Sequence, residues 1–269
     1  MKNTVEEAVH ILRTDGTVPL LKAGLRWANL NHRGIYYYFN YHYKRIVVSD
    51  QQMADPFSVV RINPSEVQRF ASGVDKWKHM GEVRPGDWDL REKPLETSNK
   101  YRSILDRFQN ETPWEKTDIY QDTVERIDAG ESYWNRCRTR DQLIERTEYV
   151  ENLYKTIRDD GFKSQSELQD TDVRSLLLSR TFDRSKSDVA VAIGRNGEFL
   201  LVDGRHRMAI SHILNLDKIP VRVVVRHSNW QQIRETICEA SAIESLPEQV
   251  KAHVEHPDIE PIVPDTVCC

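Results

Sequence analysis

The stretch that most restricts the fold is "DVAVAIGRNGEFLLVDGRHRMAISHILNLDKIPVRVVV", Asp188 to Val225. Two apolar runs flank Asn196-Gly197, a dipeptide suited to a hairpin turn, so "DVAVAIGRNGEFLLVDG" reads as two paired strands, the second from Phe199 to Val202. Gly204 ends the second run, and the residues from Arg205 to Leu214 place Ala209, Ile210, Ile213 and Leu214 on one helical face. A β-branched run from Ile219 to Val225 gives a third strand. Strands joined by a hairpin and then by a helix read as a compact α+β unit, preceded by a helical and aromatic-strand N-terminal region.

The strand-to-helix corner carries the chemistry. Three basic residues, Arg205, His206 and Arg207, follow one another at a point where only a negative partner would relieve their repulsion. Gly204 permits a sharp turn and a close approach of a bulky anion. The first N–H groups of the helix lack internal partners and favour a phosphate or carboxylate, to which Arg205 and Arg207 would add forked donors. Surface ion pairs with Asp203 or Glu198 are the plainer role for these arginines. His206 either touches the ligand, holding a phosphate oxygen or passing a proton, or bonds a backbone carbonyl. Asp203 pairs with an arginine, holds Mg²⁺, accepts a substrate proton, or simply caps the turn.

Composition narrows the classes. The formal net charge is -4, so bulk DNA binding is not expected and any basic site is local. Four cysteines without C-x-x-C spacing argue against a zinc site or a disulfide framework. No apolar run suffices to span a bilayer, and the first ten residues lack the apolar segment of a secretion signal; a cytoplasmic protein is expected.

Elsewhere, "VEEAVHILRT" and "VPLLKAGLRWANL" read as helices, the second either a core helix or one resting on an anionic membrane surface, a peripheral contact. "GIYYYFNYHYKRIVV" and "FSVVRI" read as strands, and Asn63-Pro64 opens a short helix. "GEVRPGDWDL" is a loop, either packed down by Trp88 or contributing to a ligand site. Helices are expected at "KYRSILDRF", at "IYQDTVERI", from a capping box at Thr139 to a stop at Gly161, and at "VRSLLLSRTF", "NWQQIRETICEA" and "PEQVKAHVEH".

The segment Val191 to Val225 resembles the central signature of the ParB/sulfiredoxin-like superfamily: strand, turn, strand, a glycine-led His/Arg-Arg box opening a helix, then an Ile-Pro-Val strand. "LYKTIRDDGFKSQSEL" is similar to the first box of that family, and the likeness spans Thr139 to His227. It implies a nucleotide-binding module over 139–227, a small mixed sheet with flanking helices; outside it the residues read as an N-terminal α+β region over 1–138 of unknown role and C-terminal helices with a loose tail over 228–269. By that resemblance Gly204, Arg205, His206 and Arg207 form the phosphate box, Asp203 leads it, and Gln165 stands for the first-box glutamine. The implied ligand is ATP or CTP with Mg²⁺. Arg205 occupies the place of the reactive cysteine of sulfiredoxin, which excludes its thiol chemistry. Only a short acidic stretch follows His227, so a chromosome-partition role is not expected. The resemblance implies chemistry that includes phosphoryl transfer, here to a small-molecule or polysaccharide-related polymer acceptor, and the reading of the corner gives Asp203 and His206 the catalytic roles; a non-catalytic nucleotide- or partner-binding regulatory module and a metal-dependent nuclease are the alternatives.

Overall fold

The computed structural model describes residues 59–163 and 188–263. The readings made for "VEEAVHILRT", "VPLLKAGLRWANL", "GIYYYFNYHYKRIVV" and "VRSLLLSRTF", and the role given to Gln165, fall on residues outside those described. Within them runs a mixed sheet flanked by helices. Its strands are β1 (Val59–Ile62), β2 (Arg69–Phe70), β3 (Glu82–Arg84), β4 (Val189–Ile193), β5 (Phe199–Asp203) and β6 (Ile219–His227).

β6 organises the sheet. One edge pairs in parallel with β4; the other takes β1 antiparallel at one end, Ile62 opposite Ile219, and β3 in parallel at the other, Glu82 opposite Val225. β4 pairs antiparallel with β5, and β2 adds in parallel beyond β5. Every residue of β4 and β6 is buried, as befits strands covered on both faces. The sheet therefore draws strands from both sides of residue 138.

The helices are α1 (Asn99–Gln109), α2 (Asp118–Asp128), α3 (Arg140–Asp160), α4 (Arg205–Ile213), α5 (Ser228–Glu239) and the short α6 (Glu248–Lys251). Thr139 caps α3 by accepting from the Gln142 N–H, while Gln142 Oε1 accepts from the Arg138 N–H. Gly161, at φ 81°, ends that helix. Ile104, Ile119, Leu143, Val150, Met208 and Ile210 bury fully or nearly so in one core against Val191, Leu201 and Val223, and a fully buried aliphatic side chain of this size is worth about 2 kcal/mol.

On the opposite face Trp88 packs with Ala190, Ala192, Leu200 and Val224. Its loop is pinned by Arg195, whose backbone N–H and Nε donate to Asp89 Oδ2 at 2.8 and 2.9 Å. Of the two roles open to "GEVRPGDWDL", these contacts favour the packed-down turn, and its "EVR" is strand β3 rather than loop. Asn63 caps a single turn by accepting from Ser65 N–H. "PEQVKAHVEH" is helical only over Glu248–Lys251. Among the described residues no helix is long and apolar enough to cross a membrane.

Candidate functional site

The corner between β5 and α4 forms where expected. Gly204 adopts a left-handed conformation at φ 97°, and its N–H donates to Asp203 Oδ1 at 2.8 Å. The sharp turn expected of this glycine is present, and the packing adds a second constraint. A Cβ at this position would lie 2.9 Å from the Cα of Val189, so the space beside Gly204 is filled by β4 rather than kept open for a ligand.

Each polar side chain of the corner has a distinct environment. Asp203 also accepts from Lys76 Nζ at 3.3 Å, a lysine only 5% exposed whose ammonium reaches the Asp188 carbonyl at 3.4 Å. Burial, opposed by Asp203, pushes Lys76 below the usual lysine range. Arg207 Nη1 donates to the Lys163 carbonyl at 3.3 Å and its guanidinium lies 5.2 Å from the Phe162 ring, so the segment just after α3 engages it. Arg205 stacks over Phe70 at 5.0 Å. His206 receives the indole N–H of Trp134 on Nε2 at 3.0 Å. Burial, then the charges of Arg146, Lys100 and Arg205, push His206 down to about 3.

Two basic residues not anticipated by the sequence join the corner. Lys100, on the first turn of α1, is desolvated and lies in the field of Arg205 and Arg146. Arg146, on α3, brings Nη2 to 3.3 Å from His206 Nδ1, and its Nε is buried with no hydrogen-bond partner. Among the described residues no carboxylate forms a salt bridge with Lys100, Arg146 or Arg205. Both residues left traces in the sequence. Lys100 opposes the positive end of its own helix, whose first turn carries no acid, and Arg146 falls on the apolar face of α3, three residues after Leu143 and four before Val150.

Among the described residues no cluster of His, Cys, Asp or Glu could hold a metal ion. Both oxygens of Asp203 are already engaged, by the Gly204 N–H and the Lys76 ammonium, so the residues present do not fit a protein-held Mg²⁺. Gln165 lies outside the described residues and is not placed at the corner. No protein-family model, curated protein or solved structure matches this chain.

Proposed function

We propose that the α4 corner binds the phosphates of a nucleotide, ATP or CTP. One observation carries this reading: Lys100, Arg146 and Arg205 converge on the first turn of a helix, with no carboxylate paired to them among the described residues. Such an accumulation is costly without an anion, because each ammonium or guanidinium raises the potential felt by the others. Forked guanidinium donors together with free helix N–H groups suit phosphate oxygens. The resemblance of residues 191–225 to the ParB/sulfiredoxin-like superfamily points the same way. The phosphate box in this proposal is Arg205, the α4 N-terminus and Lys100, with Arg207 acting as packing.

Of the enzyme and the binding module, the environments of Asp203 and His206 favour the module. His206 is neutral near pH 7 with Nε2 filled by Trp134, and Asp203 is held by Lys76, so neither is free to take a proton from an acceptor. Calorimetric titration with ATP and CTP, with and without Mg²⁺, followed by assay for ADP or CDP, tests the proposal. Binding that weakens in Arg205→Met and Lys100→Met, without turnover, is the expected result. Absence of binding to the wild-type chain overturns the proposal; turnover lost in Asp203→Asn restores the phosphotransferase.

A further inference from the structure

A second feature lies on the far end of Arg146. The loop before α3 holds Trp134, Asn135 and Arg136 at φ 27°, 67° and 69°, a run of left-handed backbone without glycine. L-residues adopt that region at a cost, and such strain persists only where surroundings impose it. Here Tyr133 and Cys137 exchange backbone hydrogen bonds at 3.1 and 2.8 Å across the run, and Trp134, 1% exposed, anchors it in the core. The loop thereby faces α3 across a shallow, open cavity of about 310 Å³ whose lining includes Asn135, Arg136, Gln142, Glu145, Arg146 and Tyr149.

Arg146 is the chemically incomplete member of this lining. Its guanidinium is fixed by the Tyr149 ring at 4.7 Å and the Trp134 ring at 5.9 Å. Its neighbour at 3.3 Å is His206 Nδ1. The indole of Trp134 can only donate, so His206 Nε2 accepts and the proton of the neutral ring resides on Nδ1. Arg146 can also only donate. Two donors therefore face one another, and the buried Nε of the same guanidinium has no acceptor either. Donors so arranged lack an acceptor, and an oxygen that carries negative charge would supply one while also offsetting the guanidinium charge.

The remaining lining indicates what carries that oxygen. Arg136 supplies a second cation against the single acid Glu145, and the carboxamides of Asn135 and Gln142 with the Tyr149 hydroxyl offer donors and acceptors to a polar body. We infer that this cavity binds a small organic oxyanion, its carboxylate or phosphate gripped by Arg146. The inference shares Arg146 with the cations gathered at the α4 corner but needs no nucleotide there, because the lining comes from α3 and the loop before it.

Titration of the full chain with succinate and with inorganic phosphate, each with and without ATP, tests the site. At least one probe binds the wild-type protein, and which one binds more tightly separates a carboxylate ligand from a phosphate ligand. Arg146→Lys keeps the charge but loses the fork, and the dissociation constant rises about tenfold or more, while Lys251→Gln, on α6 and outside the lining, leaves it unchanged. Arg136→Gln, an exposed substitution with little effect on folding, weakens binding to a smaller degree. Failure of both probes on the wild-type chain overturns the inference, as does unaltered binding in both Arg146→Lys and Arg136→Gln. Phosphate binding abolished by Arg205→Met but untouched by Arg146→Lys belongs to the α4 corner and likewise overturns it; loss of ATP binding alone leaves this cavity standing and removes only the nucleotide proposal.

Discussion

The indole N–H of Trp134 donates to His206 Nε2 across 3.0 Å, locking a histidine that stays neutral among three positively charged neighbours. Unfolded, this ring takes up a proton near pH 6.5; folded, only near about 3. Between those values the unfolded chain binds more protons, so stability falls as pH is lowered through the window, by at most about 1.4 kcal/mol per unit. The penalty is absent above the upper value and complete below the lower one. Denaturant unfolding of wild-type protein and His206→Gln over that range measures it; identical slopes would refute it.

Gly204→Ala combines a left-handed backbone with a Cβ 2.9 Å from the Val189 backbone. A loss of about 3 kcal/mol is expected, from the strain of φ 97° and from displacement of β4. Thermal unfolding reads this directly, and a loss within 0.5 kcal/mol, roughly the scale of a neutral surface change, would mean that β4 yields without cost.

Asp203→Asn removes the carboxylate that faces the buried Lys76 ammonium at 3.3 Å. Because the Asp203 side chain is 44% exposed, solvent softens the effect, and about 1.5 kcal/mol of destabilisation is expected. Lys76→Met in the same background recovers part of the loss, since the charge needing a partner is then gone. A double-mutant cycle without coupling would contradict the pairing.

Asp258 ties the C-terminal segment to the sheet. It accepts from Arg226 Nε at 2.9 Å and Trp230 Nε1 at 3.0 Å, and pairs with Arg234. Burial alone would raise its carboxyl, but the Arg226 hydrogen bonds and the arginine charges outweigh that and hold it below the usual range. Asp258→Ala leaves the Arg226 charge, 5% exposed, without its acid, and a loss of about 3–5 kcal/mol is expected. In the wild type this contribution is present above the unfolded carboxyl value of 3.8 and disappears as pH falls through the lower folded value. An acid titration of unfolding free energy checks both.

The hairpin, the Gly204 corner, α4 and β6 were legible because each has a local cause: a turn dipeptide, an apolar face of helical period, a β-branched run. β2 and β3 were not, because strands of two and three residues carry no period and exist only through pairing with β5 and β6. At the site, the cluster of basic residues was legible at Arg205 and His206. Their partners Trp134, Lys100 and Arg146 come from a strained loop and two other helices, and chain spacing does not encode such meetings. Arg207 reads the same as Arg205 in a linear string. Only the packing of Phe162 and Lys163 against it reveals its different employment.

β6 takes β1 and β3 along a single border, so residues 59–84 finish what residues 219–227 begin. A fragment starting at Thr139 would expose that border as a naked row of amides and carbonyls flanked by valines, ready to zip onto a copy of itself. Trimming the chain to residues 139–227 thus yields aggregate, and any shorter version meant for the bench must keep the residues from Val59 onward.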